Sequence, residues 1–363
     1  MRYFYYLIIL NMLANVVALV PRIMIDARNN GAILSIFIGA LLSSLFFYFY
    51  MNILLKFPKK THAEIVKEYI PKWIAVLYIM IISLIFFISS WLILVVFIDI
   101  TKRFVNPDLS PFVIGIIFLS VICFGALLKS EKTLYALEII LLFCIPFIGA
   151  IFLKSTINQH ISWDAIKIVF RHGFELPKLE TIGATTYSFL GFYYYSIYNK
   201  VIDLKKKKIP ILLVFIVAAV GIVNLLTSLL VPIGYHGFDG IEEYVYPWFS
   251  TADAIRMELG FIERVLFIFL LLYVGVSIIS ATISSHVGIE TIRYILPQTK
   301  WRNVSIFPIF IMIVFSLFTT ISYFFISQEQ VFELAKIYFT FLLPMGVISI
   351  VVLVWADRRK KHG

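Results

Sequence analysis

Long uncharged stretches separated by short polar segments set the pattern of this chain. They run Tyr3–Ile25, Ala32–Leu55, Trp73–Ile98, Phe112–Leu128, Leu134–Leu153, Ile182–Tyr198, Ile211–Ile233, Phe261–Ser285, Val304–Ile326 and Phe332–Trp355. About 20 mostly apolar residues in a helix cross the hydrocarbon core of a bilayer, so the pattern predicts about ten transmembrane helices. The stretches are continuously apolar rather than alternating, which argues against a β-barrel. The first exceeds the roughly 7–15 apolar residues of a signal-peptide core and reads as a retained span. The sixth is short and rich in Gly, Ser and Thr.

Composition sharpens the class. Of 363 residues, 61% are hydrophobic and 14% charged, with a mean hydropathy of +0.96. A soluble domain carries roughly 25% charged residues, so lipid is the expected solvent. The formal charge of +10 does not point to nucleic acid, because the basic residues fall in short runs between apolar stretches. Lys56, Lys59, Lys60, Lys67 and Lys72, the Lys205–Lys208 run, and Arg358 to Lys361 fall on one side if the number of spans is even. The positive-inside rule then places both termini in the cytoplasm. The chain reads as one polytopic transmembrane domain. The Lys205–Lys208 run reads as an anchor beside anionic lipid.

Three connections carry further pattern. Lys154–Glu180 holds Trp163 and the apolar-periodic Ala165–Phe170, and Gly234–Gly260 holds Tyr246-Pro247-Trp248-Phe249. Both predict short interfacial helices with aromatics at headgroup depth. Phe57–Lys72, with Thr61, Glu64 and Glu68 polar and Ile65 and Tyr69 apolar, predicts an amphipathic helix on the inner membrane surface.

Candidate chemistry is sparse. No phosphate loop, metal-spaced His and Glu pair or nucleophile elbow is present, so neither an enzyme nor a cofactor or metal site is expected. Cys123 and Cys144 both lie in apolar stretches and form no disulfide framework. Polar groups at bilayer depth are costly and usually face a cavity or a neighbouring helix. They are Asn11 and Asn15 in span one, Ser89 and Ser90 in span three, Ser188, Gly191, Tyr193 and Tyr194 in span six, Asn224 in span seven, and Ser277, Ser280 and Thr282 in span eight. Interhelical hydrogen bonding accounts for any one of them. As a set they predict a ligand pocket between spans one, three, six and eight. Glu138 is the one acid well inside an apolar stretch. It is expected either to pair with Lys132 or Lys129 as a structural acid or to serve proton coupling. Arg22 and Asp26, four apart, are placed to pair at the outer end of span one.

Transporters built from inverted repeats place their site where two corresponding helices are broken at mid-membrane. Ten spans divide into halves of about 3–153 and 182–355, making spans one and six the corresponding pair. Span six contains Gly183 and Gly191, while Pro21 lies near the outer end of span one.

Several local patterns then resemble one family. Phe57-Pro58, Thr61 and Glu68-Tyr69 follow span two, and Ser110-Pro111 opens span four. Gly191-Phe192 lies in span six, with Tyr193 where the family carries Glu, and Tyr246-Pro247 precedes Phe261-Ile262-Glu263-Arg264. In order and spacing these resemble the GerAB-like spore germination permeases, the B subunits of GerA-type germinant receptors in the amino acid–polyamine–organocation superfamily. The resemblance implies an all-α integral membrane protein with a LeuT-like 5+5 inverted repeat, in the spore inner membrane. It also implies a small-molecule germinant, an amino acid or similar, and two partners: a larger A subunit and a lipoprotein C subunit. The departures lie in the site. Aligned on Pro21, Ala14-Asn15-Val16 stands where the family has Gly-x-Gly, and Leu266 replaces an acid. Three readings stay open: a germinant-sensing subunit, a proton- or cation-coupled amino acid permease, and a structural partner without a ligand site.

Overall fold

A computed structural model of the chain describes residues 2–15, 17–157, 160–202, 204, 208–256, 264–297, 300–301 and 304–362. Val16, Lys205 to Lys207 and Phe261 to Glu263 lie outside the described residues. The helices in chain order are α1 (Arg2–Asn15), α2 (Leu19–Asp26), α3 (Ala32–Leu54), α4 (His62–Tyr69), α5 (Lys72–Phe104), α6 (Pro111–Ala126), α7 (Ser130–Ile157) and α8 (Trp163–His172). They continue with α9 (Leu179–Ser188), a 3-10 turn (Leu190–Tyr194), α10 (Tyr195–Tyr198), α11 (Ile211–His236), a second 3-10 turn (Gly240–Glu243), α12 (Pro247–Ala254), α13 (Val265–Ile292), α14 (Ile306–Phe325) and α15 (Gln328–His362). A two-residue antiparallel pair, Lys300–Trp301 with Val304–Ser305, precedes α14.

Among the described residues, α3, α5, α7, α11, α13, α14 and α15 are each long and apolar enough to cross a membrane. The bent pair α1 and α2 makes one more span if counted as one. The 16-residue α6 is apolar but shorter. Large apolar side chains point out of the bundle along these helices: Phe124, Phe215 and Phe324 are 69%, 68% and 68% exposed. A surface so apolar is stable only against lipid.

The interior is seamed by hydroxyls. Along the contact of α5 with α13, Ser83 donates to the Gly288 carbonyl (2.9 Å), Ser90 to the Ala281 carbonyl (3.0 Å) and Ser285 to Ser90 (2.8 Å). Helices in lipid gain little from burying apolar surface against one another, so close packing and such bonds set their pairing. His286 adds a second tie. Its Nδ1 donates to the Ala126 carbonyl (2.8 Å), so its Nε2 accepts from Ser130 (2.9 Å), joining α13 to the α6–α7 turn.

The short helices differ in how they meet expectation. α8 forms where the periodicity places it, with Ser162 capping Ala165 N–H and Trp163 exposed. α12 contradicts the headgroup expectation for its aromatics. Trp248 and Phe249 are fully buried against Phe152, Phe104 and Phe269, because the protein interior takes the rings before the interface can. α4 is likewise drawn inward: its capping box of Thr61 and Glu64 is complete, but its apolar face packs on α15 and α5. The end of α15 closes over it, with Lys56 paired to Asp357 (2.6 Å) and Arg359 donating to the Tyr69 carbonyl (3.3 Å).

At the far end of α2, Arg22 pairs with Asp26 (3.2 Å) as its spacing predicts. Arg22 also donates to the carbonyls of Glu242 and Tyr244. Buried Arg28 holds the Glu242 carboxylate and the Phe238 carbonyl (2.8 Å), so the second 3-10 turn is strapped to α2. Arg264, at the start of α13, lies 3.9 Å from Asp253.

Candidate ligand site between two interrupted helices

Two helices break inside the bundle. The axes of α1, which ends at Asn15, and α2, which begins at Leu19, differ by 52°. The stretch that begins as α9 gives way at Phe189 to the 3-10 turn and resumes as α10. The two breaks are packed together, α1 against the 3-10 turn and α2 against α9. Gly191 makes this contact possible. A Cβ there would lie 2.6 Å from the Leu7 carbonyl oxygen and 2.8 Å from the Ile8 Cα and Asn11 Cβ.

Each interruption leaves carbonyls without intrahelical donors, which lipid cannot satisfy. Asn11 adds donors across the contact: its Nδ2 donates to the carbonyls of Tyr187 (2.7 Å), which also accepts a backbone N–H of the cap, and Ser188 (3.1 Å) at the end of α9. Asn15 Nδ2 donates back to the Asn11 carbonyl (2.7 Å) at the end of α1. Both asparagines are buried. Both thus spend amide donors on main-chain carbonyls near the crossing, in a dry environment.

Beside this crossing lies a cavity of about 60 Å³. Asn11, Ser89 and Tyr187 contribute one polar cluster, in which Ser89 and the Tyr187 hydroxyl are 2.7 Å apart. Tyr50, His62, Ser196 and Ser349 contribute another at the α4 end. Ile85, Phe86, Tyr193, Tyr194, Tyr338 and Leu342 fill the wall between. Among the described residues, no Lys, Arg, Asp or Glu lines it.

The sequence-predicted residues divide by position. Asn11, Ser89, Tyr193 and Tyr194 line the cavity. Tyr193 packs at a tilt against Tyr50 (4.6 Å between centroids) and points its hydroxyl at the Gly346 carbonyl (3.4 Å), while Tyr194 meets Ser284 (3.0 Å). Ser90 faces α13, and Gly191 is covered by α1. Ala14 is buried on α1 beside Asn15, and Val16 lies outside the described residues. The buried hydroxyls of Ser188, Ser277 and Ser280 make no hydrogen bond of normal geometry among the described residues and do not line this cavity. Glu138 is paired with Arg2 (3.0 Å), not with Lys132 or Lys129. Arg2 begins α1, which packs on α7, so tertiary contact outcompetes the basic residues nearer in sequence.

Sequence reasoning passed over Tyr50, His62, Tyr187, Ser196, Tyr338 and Ser349. The three tyrosines carry hydroxyls inside apolar stretches, a signal equal to that of the serines. His62 lies in the Phe57–Lys72 stretch, and the Thr61–Glu64 capping box sets it in the first turn of α4, on the same face as Ile65 and Val66. Burial there pushes its imidazole from the ordinary 6.5 down to about 3. The folded protein therefore keeps His62 neutral where the unfolded chain would protonate it. Below pH 6.5 stability falls with pH, by up to about 1.4 kcal/mol per unit, levelling off near pH 3. Melting temperatures of purified wild type and His62→Gln measured from pH 7 to pH 4 check this. The wild type should lose more on acidification; parallel curves would refute the assignment.

A helical bundle with an apolar outer surface, and with two broken helices packed around a small uncharged cavity, is an integral membrane protein of permease-like construction. Residues 1–325 match the sequence model of the spore permease family, described as spore germination protein, and the chain belongs to that family. It is not an enzyme family. A comparison with curated proteins gives no match. The matched region ends with α14, so α15, which carries Tyr338, Leu342 and Ser349 into the cavity, follows it.

Proposed function

We propose that this protein is the B subunit of a germinant receptor and that its cavity senses a small nutrient of no net charge, an amino acid or similar. The observation that carries the reading is the pairing of the α1–α2 break with the α9–α10 break beside an uncharged cavity. In a 5+5 inverted repeat of about ten spans these are the corresponding first helices, and a midplane site falls between them. A cavity without charge disfavours a solute of net charge, because a buried ion without a partner costs several kcal/mol. Sensing follows if the occupant binds one arrangement of the broken helices more tightly than another, since only differential affinity shifts a population. The A subunit and the lipoprotein C subunit are the proposed partners, the spore inner membrane the proposed location, and both termini are proposed to face the cytoplasm.

Ser89→Met fills the cavity from α5 and leaves the Asn11 bonds to the end of α9 in place, at the cost of the Ser89–Tyr187 hydroxyl contact. Spores carrying it should need at least tenfold more germinant, at unchanged protein level in the membrane. An unaltered dose response would remove the cavity from the sensing role. The second reading, a proton-coupled permease, is favoured by His62 in the cavity wall rather than by Glu138, whose carboxylate is held by Arg2. Net uptake of labelled amino acid into vesicles separates the two readings.

A further inference from the structure

The α4 end of the cavity holds a chain of hydrogen bonds whose direction is fixed by counting donors. Ser349 gives its proton to the Met345 carbonyl (2.8 Å), so it accepts from the Tyr78 hydroxyl (2.9 Å). Tyr78 has then used its own proton and accepts from His62 Nε2–H (3.2 Å). The neutral imidazole thus presents an unprotonated Nδ1, which accepts from the Tyr50 hydroxyl (2.8 Å). Tyr50, His62, Tyr78 and Ser349 are all buried, and all except Tyr78 line the cavity. The chain ends on a backbone carbonyl. It therefore does not conduct protons onward, and an added proton comes to rest on His62.

Adding that proton has a definite consequence. It passes from the cavity to the Tyr50 oxygen while the Tyr50 proton moves to His62 Nδ1. The imidazolium then donates from both nitrogens, and the Tyr50 O–H turns to the cavity. Ser196 stands there, beside Tyr50, with a buried hydroxyl that makes no hydrogen bond of normal geometry among the described residues. Two hydroxyl donors, backed by one positive charge, would converge on the same space.

Among the described residues, no charged side chain lines this end of the cavity. On α4, Glu64 is engaged by Lys200 (2.9 Å) and the Thr61 N–H, and Glu68 by Lys60. Beyond the end of α3, Lys56 is engaged by Asp357 of α15. α5 presents Tyr78, and the 3-10 turn presents the Tyr193 ring. The charge that stabilises an imidazolium must come from the occupant.

We propose that the Tyr50–His62 pair is a proton-binding site through which the cavity accepts a small carboxylate, one proton with each carboxylate. This rests on the cavity being the ligand site. A monocarboxylate and its proton together bring no net charge into the cavity, whereas a zwitterion of the same size needs no proton.

The test uses full-length protein in nanodiscs with propionate and L-alanine as probes, reading dissociation constants and proton uptake in weak buffer between pH 5.5 and 7.5. Propionate binding should weaken about tenfold per pH unit and take up one proton at pH 7, while L-alanine binding should be flat. In His62→Gln, which can still accept from Tyr50 and donate to Tyr78, the propionate slope and proton uptake should vanish. Tyr50→Phe should remove most of the slope. If the slope survives in His62→Gln, the acid carries its own proton and the proposal fails while the pocket stands. Propionate binding without pH dependence would mean that the anion enters without a proton, and it likewise overturns the proposal while the pocket stands. Binding of neither probe overturns this proposal together with the pocket for carboxylate-bearing solutes.

Discussion

Gly191→Ala should be among the most damaging single-methyl substitutions in this protein. Its new Cβ would fall 2.6 Å from the Leu7 carbonyl oxygen and 2.8 Å from the Ile8 Cα, both main-chain atoms of α1. A flexible side chain could swing away; a helix backbone cannot. The two broken helices would have to separate, at an overpacking cost of roughly 1–3 kcal/mol or more. Gly275→Ala on α13 is the matched control, since its Cβ would meet Ile140 and Cys144 at ordinary distances of 3.8 and 3.9 Å. Alanine also favours a helix interior over glycine by about 1 kcal/mol. Melting of the two variants in one detergent should show a clear drop for Gly191→Ala and none for Gly275→Ala. Equal melting temperatures would mean the contact is not as close as described. Gly191→Trp would therefore lose function through the fold, and loss of response in that variant says nothing about ligand contact.

Asn11→Leu should come next, for an electrostatic reason. The substitution conserves size but strips donors from the carbonyls of Tyr187 and Ser188 where α9 ends in a dry bundle. A buried acceptor left without a partner costs about 1–3 kcal/mol; the Tyr187 carbonyl keeps a backbone N–H of the cap, so the Ser188 carbonyl carries most of that cost. Asn15→Leu removes one bond, to the Asn11 carbonyl of its own helix, and should cost about half as much or less. Thermal unfolding ranks them, with Asn11→Leu expected to melt well below Asn15→Leu. The reverse order would show that the α1 end, not the α1–α9 crossing, depends on amide donors.

These expectations show where the sequence was legible. Asn11 and Asn15 stood out because amides are rare at bilayer depth, and both prove to serve the interrupted helices. The interruption of span one was not legible, since Ala14-Asn15-Val16 lacks the glycines that usually permit unwinding. The break forms nonetheless: α1 ends at Asn15 and α2 begins at Leu19, at 52° to it. Ser90, Ser277 and Ser280 carry the same residue type as Ser89, yet only Ser89 reaches the cavity. Which face of a buried helix meets a void is a property of its neighbours, and a helix apolar all round gives no moment by which to read it.

Continuous apolar stretches near the bilayer thickness determine by themselves that the chain folds as membrane-spanning helices, because backbone groups in lipid must be satisfied within each segment. Local spacing determines in the same way the Arg22–Asp26 pair, the capping box of α4 and the cap of α8. Only the tertiary structure decides that Glu138 is answered by Arg2, that the α12 aromatics go inward, and that His62 enters the cavity beside Tyr50, Tyr78 and Ser349. Those partners lie 12 or more residues away, up to 271 for the Tyr78–Ser349 bond. Periodicity fixes which elements form, but hydrogen-bond partners in a bundle are chosen by how the helices cross.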